Sequence, residues 1–166
     1  MALNNVRPTT VKFHCQQSKH GRLAKFPAPN GQSVSFAVLQ YAAGSVNPPH
    51  THPRAAELLF LFHGVLDVGL VDTTNKLYTQ TLQAGDMSVF PKGLVHYLFN
   101  SNDKDFAIAV SAFSSASTGT VSVPASVFAT GIVDAILAKS FKTDVATIQK
   151  IKAGRTSHKA RDEALH

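Results

Sequence analysis

Tryptophan is absent from this chain, and cysteine, methionine and glutamate are almost so: one Cys, two Met and two Glu in 166 residues. A lone cysteine, Cys15, cannot form an internal disulfide, and without a second thiol nearby it marks neither a redox pair nor a thiolate metal site. No apolar run reaches the length of a membrane-spanning helix. No apolar leader of the kind that directs secretion opens the chain, which fits either a cytosolic protein or one whose signal has been removed. No Asn-x-Ser/Thr acceptor occurs, so N-glycosylation is not expected. Acidic residues are missing where basic ones gather. Residues 1–25 carry five basic side chains and no acidic one, and residues 139–166 carry seven against three. Between them, residues 26–138 carry four basic and seven acidic side chains, so the net charge of +6 belongs to the two ends. Nucleic-acid binding wants a basic stripe interleaved with aromatics on a folded face, and the middle of the chain has none.

The scarcity of glutamate makes one of the two conspicuous. Glu57 follows Ala55 and Ala56 and precedes Leu58, Leu59, Phe60 and Leu61. A carboxylate in so apolar a strand is costly to bury unless something compensates its charge. Two metal-ligand side chains, His50 and His52, stand just before it in Asn-Pro-Pro-His-Thr-His-Pro. A second stretch, Gly85–Asn100, brings His96 after a Pro91/Gly93 turn. On strands, His-x-His places both imidazoles on one face, and a strand folded back can add His96. Three imidazoles and a carboxylate, with no thiolate, suit a hard or borderline divalent ion with an octahedral preference, manganese before iron. A tetrahedral ion would be filled by these four ligands, whereas a six-coordinate one keeps two positions for water or substrate. His63 precedes a turn glycine, alternates away from Glu57 and is read as a non-ligand.

The rest of the chain reads as many short strands: Ser33–Ala42, Glu57–Phe62, Val65–Val71, Lys76–Leu82, Met87–Phe90, Val95–Phe99 and Phe106–Phe113. Between them lie turn signals such as Asp72-Thr73-Thr74-Asn75, and Gly44–Pro49 is read as a turn. This spacing predicts an all-β double-sheet jelly roll. After residue 123 the pattern turns helical. Pro124 can open a short helix, Ile132–Phe141 has an apolar side, and a helix capped by Thr143 runs to Gly154. The expected organisation is an N-terminal arm over 1–25, which includes His14 and His20, a barrel over 26–123 and a helical segment over 124–154. Residues 155–166, nearly devoid of apolar side chains, are expected to form a disordered tail.

Two spacings carry a resemblance. The first is Gly44, five residues, His50-x-His52, four residues, Glu57, six residues, Gly64. The second is Gly85, five residues, Pro91-x-Gly93, two residues, His96, three residues, Asn100. Both match the cupin pattern at all ten fixed positions. Asn-Pro-Pro-His-Thr-His-Pro, Thr-Thr-Asn-Lys-Leu and Phe-Pro-Lys-Gly-Leu-Val-His resemble plant germins and germin-like proteins, from about Phe26 to about Gly154. The resemblance implies a cupin barrel with short C-terminal helices and a manganese(II) site of His50, His52, Glu57 and His96. It implies a homo-oligomer whose helices clasp dimers, grouped as a hexamer, and an extracellular location in the plant cell wall. Asn47 matches an Asn that contacts substrate in oxalate-oxidising germins; from its setting alone it is a turn Asn. Thr51, between the two histidines, and Arg54, after the following Pro53, depart from those members. The expected function is a manganese oxidoreductase such as a superoxide dismutase acting on a small-molecule substrate, with oxalate oxidation less favoured. A metal-braced binding or storage protein, or a cupin with non-redox isomerase or cyclase chemistry, are the alternatives.

Overall fold

The computed structural model describes residues 33–163, and the side chains of 33–154. The arm proposed for 1–25, with Cys15, His14 and His20, lies outside the described residues. Nine strands are followed by three helices: β1 (Ser35–Tyr41), β2 (Val46–Thr51), β3 (Glu57–His63), β4 (Val65–Val71), β5 (Leu77–Gln83), β6 (Met87–Phe90), β7 (Val95–Phe99), β8 (Ala107–Phe113), β9 (Val121–Ser122), α1 (Val123–Phe128), α2 (Asp134–Ser140) and α3 (Val145–Glu163). The strands form two antiparallel sheets in the orders β1-β8-β3-β6 and β5-β4-β7-β2-β9. This is the expected jelly roll.

Alternation explains why these segments pair as they do. Along β3, Glu57, Leu59 and Leu61 are buried while Leu58, Phe60 and Phe62 are exposed. Tyr41, Leu59, Leu61, Phe90, Ala107 and Ala109 of the first sheet meet Leu66, Val68, Leu82 and Leu98 of the second in one core. Both sets are apolar apart from Glu57, so what a one-residue slip of β3 would forfeit is the inward placement of Glu57. Gly64, at φ +85°, makes the tight step from β3 to β4, and a side chain there would press on the Phe106 carbonyl and Ala107. Asn100, fully buried, ties the far side of the barrel. Its amide nitrogen donates to the carbonyls of Tyr41, Ala42 and Asp105 at 3.1, 3.1 and 2.8 Å, and its oxygen accepts from the Asn102 N–H.

The largest departure from the sequence reading is β2. Gly44–Pro49 was expected to be a turn, yet Val46–Thr51 is a strand. Proline cannot donate to a ladder and is confined to bulges and lightly paired strands. Here the register against β7 shifts between Asn47 and His50, so Pro48 and Pro49 occupy the irregularity, and the other neighbour, β9, is only two residues long.

The helical residues form a second compact unit beginning at Ser122. Its small core is Leu137, Ala138 and Ile148, with Val127 and Phe128 packed on it. Pro124 stands in the first turn of α1, as its fixed φ allows. The cap of α3 is Asp144 rather than Thr143: its carboxylate accepts from the Thr147 N–H and hydroxyl, both at 2.8 Å. Aspartate is the stronger cap, because its charge also suits the positive helix end. The helix passes through Gly154, where the sequence reading ended it, and the backbone of 155–163, expected to be a free tail, is helical to Glu163. Glycine weakens a helix interior by about 1 kcal/mol but ends a helix only where the chain turns left-handed, and Gly154 has no positive φ.

Candidate metal centre

Three pieces of backbone converge at one end of the barrel. His50 and His96 face each other across the β2–β7 ladder as direct partners in register. His52 follows just beyond the end of β2, and both residues of the His-x-His pair are buried while Thr51 between them is half-buried. Glu57 comes from the opposite sheet, at the start of β3, in register with Phe90 on one side and Phe113 on the other. All four residues are at least 95 % buried, and one ligand atom from each lies within 4.8 Å of those of the other three. The sequence-predicted ligands are therefore brought together. His63 is not among them: it is exposed, with its ring 5.0 Å from that of Phe106.

Each imidazole is held by its outer nitrogen. His50 Nδ1 lies 2.8 Å from the Pro48 carbonyl and His96 Nδ1 lies 3.0 Å from the Leu94 carbonyl. A carbonyl accepts only, so each Nδ1 donates to it, and Nε2 is the nitrogen turned toward the group, the one a metal would bind. His52 Nδ1 lies 3.1 Å from the Thr120 hydroxyl, which can accept from it or donate to it and so serves either tautomer. The inward nitrogens of His52 and His96 lie 3.0 and 3.2 Å from Glu57 Oε2. The other oxygen, Oε1, accepts from the Ser111 hydroxyl at 2.5 Å. Phe90 stacks on His96 at 4.4 Å, and Phe113 meets His52 edge-on at 5.0 Å, so apolar rings wall the group.

Ser111 and Thr120 were not picked out from the sequence, and Arg54 was noted there only as a departure from the oxalate-oxidising members. Ser111 had a signal available, as the one polar residue on the inward face of β8 between Ala109 and Phe113. Thr120 had none, since it comes from a Ser/Thr-rich stretch 68 positions from His52. Arg54 fastens that stretch: its Nε and an outer nitrogen donate to the carbonyl and hydroxyl of Ser117, each at 2.8 Å, and its guanidinium lies against Gly119.

The electrostatics set the group up for a cation. Burial, and then the neighbouring His96, pull the His50 pKa down to about 4, so the ring is neutral at pH 7. Burial pushes the Glu57 carboxyl up, but hydrogen bonds from His52, His96 and Ser111 outweigh it and hold the pKa at about 2. Three nitrogens and one anionic oxygen within 4.8 Å of one another suit a single divalent ion, whose bonds of about 2.0–2.6 Å allow donors to lie up to ~5 Å apart. An ion there would join the two sheets, because Glu57 belongs to one and His50 and His96 to the other.

A pH dependence follows with a definite sign. Both groups bind protons more readily unfolded, near pH 6.5 for His50 and 4.5 for Glu57, than folded, near 4 and 2. The stability these two groups contribute is therefore fully present above pH 6.5 and is lost as pH drops. The metal-free protein is expected to lose on the order of 3 kcal/mol from His50 between pH 6.5 and 4, and more from Glu57 below 4.5. Denaturant unfolding across that range checks it, and a flat stability from pH 7 to 4 would contradict it.

Comparisons with known proteins agree with this architecture. A family model described as cupin matches residues 13–149. The rice (Oryza sativa subsp. japonica) Germin-like protein 9-3 is 67 % identical over 137 residues, covering 82 % of this chain and 64 % of its own. Rice Germin-like protein 9-1 is 57 % identical over 131 residues, covering 78 % and 53 %. The chain thus spans less than two thirds of the length of these relatives. Among solved structures, one from a study of the mechanism of oxalate oxidase superposes with a TM-score of 0.76 at 31 % identity, over 92 % of this chain and 73 % of that one. An oxalate oxidase in complex with the substrate analogue glycolate gives 0.74 at 34 %, over 80 % and 68 %. With both glycine-bounded motifs, the two-sheet barrel and the four buried ligands in place, the chain belongs to the cupin family, as a germin-like member of it.

Proposed function

We propose that the protein is a manganese-dependent oxidoreductase whose reaction takes place at His50, His52, Glu57 and His96, with superoxide dismutation as the activity. The observation that carries the reading is the donor set: three imidazole nitrogens and one carboxylate, buried together with, among the described residues, no thiolate and no second carboxylate in the group. Such a set leaves a six-coordinate ion with open positions and suits manganese, with iron the alternative. Bound there, the ion would supply one-electron redox chemistry and Lewis acidity at those positions. The chain's own contribution is orientation and exclusion of water. Pro48, Leu94 and Thr120 fix the three rings, Ser111 fixes the carboxylate, and Phe90 and Phe113 keep the group dry. The solved oxalate oxidases are neighbours in fold at 31–34 % identity, which supports oxidoreductase chemistry. Thr51 and Arg54 are the reason to rank oxalate below superoxide.

The test is a dismutation assay on manganese-loaded protein, with oxalate-dependent peroxide production measured alongside. Dismutation that tracks manganese content is the expected result. A loaded protein showing neither activity would leave the ion as a brace between the sheets, in a binding protein or a non-redox enzyme.

The same reading extends to assembly and location. On the helical unit, Val133, Ile136, Phe141, Val145 and Ile151 are exposed at 41–61 %. Apolar side chains grouped in this way favour a partner, and the reading assigns them to other copies of the chain, in dimers grouped as a hexamer. Light scattering that finds only a species of 17.8 kDa would refute it. Extracellular residence in plant tissue belongs to the same reading, and fractionation of the tissue tests it.

A further inference from the structure

Residues 114–120, Ser-Ser-Ala-Ser-Thr-Gly-Thr, join β8 to β9 and end beside His52. Their one apolar side chain is Ala116, so burial of hydrocarbon does little to hold them in place. Hydrogen bonds do it instead. The Ser114 N–H donates to the Ala56 carbonyl at 3.1 Å, and the Ala56 N–H donates to the Ser114 hydroxyl at 2.9 Å. The Ser35 hydroxyl donates to the Ser115 carbonyl at 2.7 Å. Arg54 grips the far end. Its N–H donates to the Thr118 carbonyl at 3.2 Å, and its guanidinium forks onto the carbonyl and hydroxyl of Ser117. Gly119, at φ +69°, completes the seat, because a Cβ there would lie 2.6 Å from the guanidinium carbon. The segment's last residue, Thr120, meets His52. His50 and His96 are held by carbonyls two residues before them in the chain. Of the three imidazoles, only that of His52 has its outer nitrogen held by a side chain, 68 positions away.

We propose that residues 114–120 are a latch on the His52 side of the metal group, and that Arg54 is the positioning residue that keeps it shut. While Arg54 grips Ser117 and Thr118, Thr120 holds His52 turned inward and the metal is retained. When the grip opens, His52 is released and the metal exchanges with solution. This rests on the metal-binding part of the functional reading and adds the control of metal retention to it. With Nε2 of His52 on a metal, Nδ1 carries the proton and the Thr120 oxygen accepts it, which fixes the ring. The Thr120 hydroxyl can then donate to that of Thr118, 3.3 Å away, whose carbonyl Arg54 holds. Arg54, Ser114, Ser117 and Thr120 are exposed, so water competes for these bonds and the segment opens far more readily than the barrel strands do. The fork is specific to arginine, whose planar guanidinium presents two donors at a fixed angle.

The test loads the full chain with cobalt(II), whose visible absorption reports coordination, and follows its removal by excess EDTA. Thr120→Val keeps the shape and loses the hydroxyl. It is expected to release cobalt about tenfold faster than the natural protein, the usual worth of an outer contact to a ligating imidazole. Thr120→Ser keeps the hydroxyl and is expected to stay within about twofold of the natural rate. Arg54→Ala is expected to release cobalt about fivefold faster, and to add less than about twofold once Thr120→Val is present, because it acts through that hydroxyl. A merely structural Arg54 would keep its full effect in the double variant, and that result would overturn the proposal. So would release at the natural rate from Thr120→Val, or release from Thr120→Ser as fast as from Thr120→Val. The two Thr120 variants decide the matter by themselves if Arg54→Ala does not fold. A natural protein that takes up no cobalt would overturn both this assignment and the metal-binding reading beneath it. Release rates in the expected order, in a protein that dismutates no superoxide, would remove the dismutase reading and leave the latch standing.

Discussion

Glu57→Gln is expected to lower affinity for manganese by about a hundredfold or more, and His52→Ala to leave the purified protein nearly free of metal. Glu57 is the site's one anion, and the structure shows what it stands to lose. Its Oε2 faces the inward nitrogens of His52 and His96 at 3.0 and 3.2 Å, and Ser111 anchors Oε1. Glutamine keeps the shape but turns an anionic donor into a neutral one. Outer contacts alone are typically worth 10- to 100-fold in affinity, so a direct ligand is expected to exceed that range. His52→Ala removes one of four donors and opens a gap in a fully packed wall beside Phe113. His63→Ala, on the same strand as Glu57 but exposed, is expected to retain its metal. Elemental analysis of the three variants, purified side by side, makes the comparison. Retention of metal by His52→Ala would show that some other group holds it.

Removing the metal from the natural protein is expected to lower its melting temperature by roughly 6–12 °C, and manganese to restore it. An ion that binds only the folded state stabilises it by about 3 kcal/mol at a hundredfold excess over Kd. For a chain of this size each kcal/mol is worth about 2–4 °C. The effect has a structural source, because the ligands come from both sheets: His50 and His96 are partners on one ladder and Glu57 lies on the other sheet. An ion is therefore a cross-link between layers held otherwise by side-chain packing. Without it, Glu57 keeps its hydrogen bonds to the histidines, so the metal-free chain is expected to stay folded near neutral pH and to weaken on acidification. Calorimetry before and after chelation reads the shift, and an unchanged transition would mean that the metal does not bridge the sheets.

The ligands were legible from residue types and spacing because they are local in sequence or sit at fixed offsets from turn glycines. Alternation on β1, short apolar runs elsewhere and the turn residues between them were enough to place most strands within one or two residues. What escaped was whatever depends on contacts distant along the chain. Pro48 and Pro49 signal a turn by their own geometry, and only the bulge against β7 and the two-residue β9 on the other side let them lie in a strand. Thr120 reaches His52 only because Arg54 fastens residues 117–119, and neither residue type announces that. Asn47, read from the sequence as a turn residue, lies in a strand opposite Leu98, which only the assembled β2–β7 ladder shows. At the helices the misreadings were of degree. Asp144 outcompetes Thr143 as a cap one residue on, and Gly154 weakens α3 without turning the chain.

The central claim is that His50, His52, Glu57 and His96 hold one divalent ion, manganese in the native setting. The most direct measurement is elemental analysis combined with manganese EPR on protein isolated from its own tissue, with no metal added during purification. The expected result is close to one divalent ion per chain, with manganese predominant and its signal lost on chelation. Protein that is folded and homogeneous but carries well under a tenth of an ion per chain would contradict it.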